Sequence, residues 1–321
     1  MRSPWEGQKK MNAEGHNVLI IGAAGLDIKV QPEAQAIESA QSNPAHIHWS
    51  WGGVARNIAE NLGRLGVNVQ FITAVGDDDS GEELLLQLHQ VGVETNATLV
   101  ITGQETASYV EILHHDKHLL VAFDDMQIIR AITPDYLAHY QYLFQQTDLI
   151  CLDANLSLGA FRLIFKLAQR YAIPVCADPT TAALAPRLHP FLSQIAALTP
   201  NRQEAEALLN RELATPEGIL QGARDLAYKG VELAIITQGA EGLSYATAEE
   251  SGRLPPFDAR VVDPTGTGDA LTAAVAYGLL EELPPTEAAQ LGLAAAAQTI
   301  HCAETVCPYI TLESLYDQLV V

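Results

Sequence analysis

The residues best suited to chemistry lie near the end of the chain, where residues 263–269 read Asp-Pro-Thr-Gly-Thr-Gly-Asp before an apolar run at 270–280. The apolar run predicts a buried helix. The backbone N–H groups of Gly266, Thr267 and Gly268 at its start can hold an anion. Asp269 falls in the first turn, where a carboxylate can accept a proton from a hydroxyl group that attacks a bound phosphoryl group. Taken alone, the motif also fits a glycine turn with an ordinary helix-start aspartate.

Two glycine-containing turns in the first sixty residues carry candidate binding groups. Gly52 and Gly53 come directly before a predicted helix at 54–65, which carries Asn57 one turn inside. Asp27 ends a strand-and-turn segment, and α/β proteins form ligand sites at the carboxyl ends of strands. We therefore expect Asp27 to bind sugar hydroxyl groups and the glycine pair to let a ligand approach the backbone closely. Turn formation and helix capping are the structural alternative.

Two further turns contain polar and glycine residues that could face a nucleotide. Asn201 and Glu204 open a predicted helix at 202–209 with the spacing of a capping box, which is a sufficient structural explanation. The same pair could instead organise a divalent ion and its phosphates. Thr237 ends a predicted strand at 233–237, Gly239 and Gly242 follow it, and a glycine turn there can run along a nucleotide.

Composition and motif absences exclude several classes of protein. The chain has 321 residues, with 18 basic and 39 acidic side chains and a formal net charge of −21. We expect no nucleic-acid partner, because no basic patch stands out. No Gly-Lys dipeptide exists for a Walker A loop, and the segment at 20–27 lacks the full dinucleotide fingerprint. A dinucleotide-dependent oxidoreductase is therefore disfavoured. ATP stays compatible, because local dipoles and a metal ion can outweigh net charge.

The sequence also predicts where the chain resides and the state of its thiols. No apolar run reaches the ~20 residues needed to cross a bilayer, so we expect no membrane partner. The first 17 residues are polar and lack an apolar segment, so we expect no secretory signal. We expect a cytoplasmic protein. The cysteines lack paired spacing and are expected to be reduced thiols: Cys151, Cys176, Cys302 and Cys307.

Strand-like apolar runs alternate with helical patterns over most of the chain. Predicted strands lie at 18–21, 69–74, 149–152, 174–177, 195–198 and 233–237, and predicted helices at 54–65, 81–91, 158–171, 202–209 and 219–229. This alternation predicts a mainly parallel sheet covered on both faces. Alternating runs at 46–51, 107–113 and 118–123 predict a small β appendage, the last two forming a hairpin around 114–117. We expect a polar extension at 1–16 and one domain at 17–321, with a β lid from about 28–51 and 104–125.

These turns, in this order, resemble the PfkB (ribokinase-like) family of carbohydrate and nucleoside kinases from about residue 17 to the C-terminus. The resemblance implies a ribokinase-like three-layer α/β/α sandwich with a mainly parallel central sheet and a small β lid. It implies ATP as cosubstrate, Mg²⁺ as cofactor, and a small-molecule sugar or nucleoside as acceptor. Relatives often dimerise through the lid, so the resemblance makes a homodimer possible and does not exclude a monomer.

The resemblance also assigns roles to residues of this chain. Asp269 corresponds to the catalytic base, next to an anion hole formed by Gly266, Thr267 and Gly268. The other implied roles are sugar binding by Asp27, Gly52, Gly53 and Asn57; nucleotide binding by Asn201, Thr237, Gly239 and Gly242; Mg²⁺ binding through water by Glu204; and binding of a monovalent cation such as K⁺ by Asp263 and Thr265. The chain departs from the family pattern at Trp51, Gln238, Pro264 and Thr267.

A narrower resemblance is to the pseudouridine kinase branch of the family. It rests on residues 52–62 (GGVARNIAENL), on Asn43-Pro44 upstream, and on residues 152–157, 177–179 and 200–206. The ribokinase branch usually carries a glutamate near Asn155, and an amide there could suit a nucleobase. The branch implies phosphorylation of the 5′ hydroxyl group of pseudouridine. The alternatives are a kinase for ribose, adenosine or another sugar or nucleoside, and a ligand-binding regulator without catalysis.

Overall fold

The computed structural model describes residues 15–116, 118–259 and 261–320. Most of the predicted extension at 1–16, and one residue of the predicted turn at 114–117, lie outside the described residues. The strands are β1 (Asn17–Ile21), β2 (Gly25–Pro32), β3 (Ala45–Gly52), β4 (Asn68–Ile72), β5 (Ala74–Gly76), β6 (Val93–Glu94), β7 (Leu99–Ile101), β8 (Ala107–Leu113), β9 (Leu119–Asp125), β10 (Leu149–Asp153), β11 (Val175–Asp178), β12 (Ala197–Leu198), β13 (Leu233–Thr237), β14 (Leu243–Ala246) and β15 (Ser251–Leu254). The α-helices are α1 (Val54–Arg64), α2 (Asp79–Gln90), α3 (Pro134–His139), α4 (Gln141–Phe144), α5 (Leu158–Tyr171), α6 (Arg202–Leu209), α7 (Pro216–Tyr228), α8 (Thr267–Leu280), α9 (Pro285–Thr299) and α10 (Leu312–Val320).

A nine-stranded sheet in the order β15-β14-β13-β12-β11-β10-β1-β4-β6 forms the middle of the molecule. Its strands from β13 to β6 pair in parallel, whereas β14 and β15 are antiparallel at one edge. The predicted mainly parallel sheet is confirmed. β1 has β4 on one side and β10 on the other, so the strand order reverses there. Open α/β sheets form their ligand crevice outside the carboxyl ends of strands at such a point.

Helices cover both faces of this sheet, as the predicted three-layer sandwich requires. Val18 and Ile20 of β1 pack into one hydrophobic core with α1, α2, α8 and α9, whereas Leu19 and Ile21 pack into a second core with α3 to α7. All four side chains are fully buried, and each contributes roughly 1.5–3 kcal/mol of hydrophobic stabilisation. Among the described residues, no helix has both the length and the hydropathy to cross a membrane.

A smaller sheet in the order β3-β2-β8-β9 stands beside the sandwich, and we call these four strands the lid sheet. β2 pairs antiparallel with β3 and parallel with β8, and β8 forms the predicted hairpin with β9. The sequence prediction that Asp27 ends a strand is wrong, because Asp27 is the third residue of β2. Pairing with strands on both sides extends the backbone through this segment.

Two predicted strands differ from the observed ones, whereas two helices match. The strand predicted at 69–74 is two strands, because the chain leaves the central sheet after Ile72 and β5 pairs with β7. The strand predicted at 195–198 shortens to β12, since the N–H group of Ile195 still bonds to Leu192 at the end of a 3-10 helix. The helices predicted at 158–171 and 202–209 coincide with α5 and α6.

The prediction of four reduced thiols is wrong for one pair. Cys302 and Cys307 form a disulfide, because the turn after α9 brings their Cα atoms to 5.5 Å, within the range that a disulfide spans. Cys151 and Cys176 are free and buried in β10 and β11, as expected.

Candidate active site

Asp153 lies at the point where the strand order of the central sheet reverses. It is the last residue of β10, and it is fully buried. Its Oδ2 atom accepts hydrogen bonds from the N–H groups of Ala23 (2.7 Å) and Ala55 (3.2 Å), and its Oδ1 atom accepts one from the N–H group of Asn155 (2.9 Å). One carboxylate thereby fixes the turn after β1, the start of α1 and the turn after β10 against one another.

A cavity of about 410 Å³ opens beside Asp153, between the carboxyl edge of the central sheet and the lid sheet. This volume suits a small organic ligand, since such sites enclose ~300–1,000 Å³. Six residues chosen from the sequence line it: Asp27, Gly53, Asn57, Asn155, Thr265 and Asp269. The lid sheet and the loops around the cavity add polar groups that the sequence did not single out: Tyr109, Asp124, Gln127, Arg130, Thr180, Thr181 and Arg187.

Asp27 lines this cavity from β2. Its carboxylate lies against Gly52 of β3, which pairs with Gly25, and a Cβ atom at Gly52 would overlap that carboxylate. Burial and the nearby Glu111 carboxylate raise the pKa of Asp27 from 3.8 to about 7, although Lys29 and Arg56 oppose this rise. An ionised carboxylate that lines a cavity is able to accept hydrogen bonds from hydroxyl groups.

Asn57 connects α1 to Asp269 of α8. Its Nδ2 atom donates a hydrogen bond to Asp269 Oδ2 at 2.7 Å, and its Oδ1 atom accepts one from Arg56 Nη1 at 3.0 Å. Arg56 is itself buried and ion-paired with Glu60, so it fixes which end of the Asn57 amide faces Asp269. Burial and the nearby Asp178 carboxylate raise the pKa of Asp269 well above its usual value, although the Asn57 bond opposes this rise.

The path of the glycine loop before α8 depends on a glycine at the residue that caps the helix. Gly266 caps the helix with a φ of 77°, and a Cβ atom there would overlap the carbonyl oxygen of Thr305. A side chain at this position would therefore meet both backbone strain and a clash. The Thr267 hydroxyl group donates to the Pro264 carbonyl at 2.9 Å, which closes the turn. Gly268 borders open space, so its side of the first turn is accessible.

Glu204 and Asn201 form the predicted capping box, and they also adjoin a buried carboxylate. Glu204 accepts from the Asn201 N–H group at 2.8 Å, and Asn201 Oδ1 accepts from the Glu204 N–H group at 3.0 Å. Burial and the nearby Asp178 raise the pKa of Glu204 to about 8. Burial likewise raises the pKa of Asp178 to about 6. A hard divalent cation bound near Glu204 would offset the repulsion from Asp178 that raises its pKa.

The residues chosen for nucleotide binding lie outside the cavity wall, on neighbouring strands at the same edge. Thr237 ends β13 and pairs with Asn201, its N–H group bonding to the Pro200 carbonyl at 2.9 Å. Gly239 opens a 3-10 turn, and Gly242 closes it with a φ of 85° before β14 begins. The structure therefore groups Asn201, Thr237, Gly239 and Gly242 beside Glu204.

Asp263 and Thr265, the candidates for a monovalent cation site, are already in contact with a cation of the chain itself. Lys29 Nζ lies 2.6 Å from Asp263 Oδ2 and 2.5 Å from Thr265 Oγ1. Burial raises the pKa of Asp263, but the hydrogen bonds from Lys29 and Thr265 outweigh it and hold that pKa below its usual value.

Sequence reasoning missed four residues that organise this site: Lys29, Arg56, Asp153 and Asp178. Two of them could have been found, because Asp153 and Asp178 each follow an apolar run and therefore end parallel strands at the carboxyl edge. Lys29 and Arg56 carry no comparable local signal. Their partners become apparent only when the lid sheet and α1 are in place.

Comparison with known proteins agrees with this geometry. The family model described as pfkB family carbohydrate kinase matches residues 16–311. A pseudouridine kinase of Escherichia coli is 33% identical over 93% of this chain and 95% of its own length. A guanosine-inosine kinase of Exiguobacterium acetylicum is 26% identical over 90% of this chain and 96% of its own length. Arabidopsis thaliana ribokinase, solved with ribose and ATP, has the same fold with a TM-score of 0.85, at 21% identity, over 96% of this chain and 99% of the other. The chain therefore belongs to the pfkB family of carbohydrate kinases and is a phosphotransferase that acts on a sugar hydroxyl group.

Proposed function

We propose that this kinase transfers the γ-phosphoryl group of ATP to the 5′ hydroxyl group of a ribonucleoside, and that this nucleoside is pseudouridine. The observation that carries the proposal is the cavity, whose lining combines the hydrogen-bonded pair of Asp269 and Asn57 with a set of further polar side chains. The first pair suits a reacting hydroxyl group, and the second set suits the edge of a base. The 33% identical pseudouridine kinase supports this choice of nucleoside.

The roles within the cavity follow from its chemistry. Asp27, Gly53 and Asn57 would hold the ribose, while Asp124, Arg130 and Asn155 would face the base. Pseudouridine is joined to its ribose by a C–C bond and therefore presents a ring N–H group where uridine has none. An acceptor near the base would favour pseudouridine, because uridine would leave that acceptor unpaired in a site shielded from water.

Asp269 is the proposed general base. Its Oδ2 atom is held by Asn57, whereas its Oδ1 atom has no hydrogen-bond partner in residues 15–116, 118–259 and 261–320. In the proposed reaction, Oδ1 accepts the proton of the 5′ hydroxyl group as that oxygen attacks the γ-phosphorus and the bond to the ADP oxygen breaks. The N–H groups of Gly266, Thr267 and Gly268 would stabilise the charge on the transferred oxygens.

The nucleotide and metal would bind beside the cavity. Asn201, Thr237, Gly239 and Gly242 would contact ATP, and Glu204 would hold Mg²⁺ through water near Asp178. When bound, Mg²⁺ neutralises charge on the phosphates. Because ATP is a cytoplasmic cosubstrate, the proposed reaction places the enzyme in the cytoplasm.

The decisive test is a substrate panel with ATP and Mg²⁺ held constant. ADP release is coupled to NADH oxidation, and the product mass is checked for one added phosphoryl group. We expect kcat/KM for pseudouridine to exceed that for uridine, with free ribose far behind both. A preference for ribose or adenosine would reject pseudouridine as the substrate but would leave the assignment as a kinase intact. The absence of turnover with every acceptor would favour a regulator.

We also propose that the enzyme is a homodimer formed through the lid sheet. One face of this sheet is apolar across all four strands, whereas the other carries Asp27 and faces the cavity. Trp49 and Phe123 on the apolar face are 58% and 59% exposed. Monomeric proteins rarely leave such a continuous apolar surface in water. Two rows form this face: Trp49, Ile28, Val110 and Phe123; and Ile47, Val30, Ile112 and Val121.

Light scattering after size-exclusion chromatography tests the dimer. We expect the mass of two chains for the wild type and of one chain for a variant carrying both Trp49→Lys and Phe123→Lys. Tyr228→Lys is the matched control, since Tyr228 is an aromatic residue 94% exposed on α7, and this variant should remain dimeric. A wild type that elutes as a monomer at every concentration would reject the proposal.

A further inference from the structure

Lys29 joins the lid sheet to the loop that precedes α8. Its ammonium group donates to Asp263 Oδ2 at 2.6 Å and to Thr265 Oγ1 at 2.5 Å, although Lys29 lies 234 residues from Asp263 in the chain. The side chains of Lys29 and Asp263 are only 16% and 23% exposed. This is a partly buried ion pair with a second hydrogen bond, which is a more specific arrangement than a surface salt bridge.

The ion pair continues into the anion cradle. Asp263 uses its other oxygen, Oδ1, to accept the N–H group of Thr265 at 2.8 Å. Thr265 is followed directly by Gly266, the residue that caps α8. The position of the ammonium group therefore determines the path of the loop that leads to Gly266, Thr267 and Gly268.

Lys29 also shares a strand face with Asp27, because side chains two residues apart in a strand point the same way. Glu111 of β8 pairs opposite Lys29, and its carboxylate adds to the negative charge around the ammonium group. Strand β2 thus brings a sugar-binding carboxylate and a cation to the same side of the lid sheet.

We propose that the ammonium group of Lys29 is a built-in cation that orders the loop before α8, so that the enzyme needs no added monovalent cation. The predicted K⁺ site does not fit this chain, because Lys29 already uses the side-chain oxygens of both candidate ligands. A second cation at the same oxygens would be repelled by the ammonium charge. The expected effect of Lys29 on turnover rests on the proposed function. The expected effect of Lys29 on cation binding does not.

The test compares wild type, Lys29→Ala and Lys29→Met in choline, Na⁺ and K⁺ chloride at equal ionic strength, with Mg²⁺ and ATP constant. Wild-type turnover should be the same in all three salts. Both variants should lose roughly ten- to a hundredfold in kcat in choline chloride, the cost of removing a hydrogen-bonded charge. K⁺ should restore the kcat of Lys29→Ala, because alanine leaves space for an ion. It should not restore the kcat of Lys29→Met, because methionine fills that space. Lys166→Ala, on the exposed side of α5, is the control for loss of a lysine.

Thermal unfolding in the same salts, without nucleotide or acceptor, separates this inference from the proposed function. K⁺ should raise the Tm of Lys29→Ala more than that of the wild type or of Lys29→Met, whatever the acceptor proves to be. A wild-type enzyme that K⁺ activates severalfold would overturn the inference. Full turnover of Lys29→Met in choline chloride would also overturn it.

Discussion

Replacing Asp27 by asparagine should change the stability of the free enzyme in a pH-dependent way. In the folded protein, burial and Glu111 raise the pKa of Asp27 from 3.8 to about 7. The folded state then holds a proton that the unfolded state has lost, so the stability contributed by this group falls as pH rises from about 3.8 through about 7. Asparagine carries no charge at any pH and removes this dependence.

The magnitude follows from the interval between the assay pH and the folded pKa. At pH 8 the carboxyl is ionised in both states, whereas at pH 5.5 it is protonated only in the folded state. Going from pH 8 to 5.5 therefore stabilises the wild type by about 2 kcal/mol through this group, and by less where water in the cavity solvates the carboxylate. The free energy of unfolding of Asp27→Asn, relative to that of the wild type, should therefore rise by about 2 kcal/mol between pH 5.5 and 8, or roughly 3 °C in Tm.

Urea and thermal unfolding of the free enzyme at both pH values measure this difference, with Asp317→Asn on the exposed side of α10 as control. Calorimetry should show that Asp27→Asn binds the nucleoside roughly ten- to a hundredfold more weakly, since a hydrogen bond to a charged acceptor is lost. An equal stability difference between wild type and variant at pH 5.5 and 8 would refute the reasoning.

Two further substitutions test the catalytic assignments. Asp269→Asn should retain its fold and lose about 10²–10⁴-fold in kcat, because the proton acceptor is gone; wild-type kcat in this variant would exclude the role of base. Glu204→Gln keeps the capping geometry but should need more Mg²⁺ for half-maximal rate. As the pH rises toward 8, the Tm of this variant should fall less than that of the wild type, because burial raises the pKa of Glu204 to about 8. Glu212→Gln, at an exposed position beyond α6, is the control and should match the wild type in Mg²⁺ requirement and in the pH dependence of Tm. An unchanged Mg²⁺ requirement in Glu204→Gln would show that Glu204 only caps the helix.

Features that depend on neighbouring residues could be predicted from the sequence. The periodicity of α5 and the Asn201–Glu204 cap of α6 gave the bounds of these helices directly. The glycines before α8 located the loop that caps this helix. Each of these signals acts within a few residues, which is the range over which capping and periodicity operate.

Features that depend on distant residues could not be predicted in this way. β2 contains Gly25 and Asp27, which disfavour strands, yet its pairing with β3 and β8 outweighs local preference. The contact between Lys29 and Asp263 joins residues 234 positions apart. The Cys302–Cys307 disulfide depends on how the turn after α9 folds. Only the assembled sheets reveal these pairings.

The hydrogen bonds of Asp153 have a consequence for how activity appears during folding. The bond from Ala23 to Asp153 spans 130 residues, and the one from Ala55 spans 98. Such long-range contacts close large loops and form late. A fragment that ends before β10 would leave those two N–H groups without their acceptor, so the turn after β1 and the start of α1 would lose the carboxylate that bridges them. In a refolding experiment, recovered turnover would therefore report the completed sheet, whereas helix signals would return earlier from local segments.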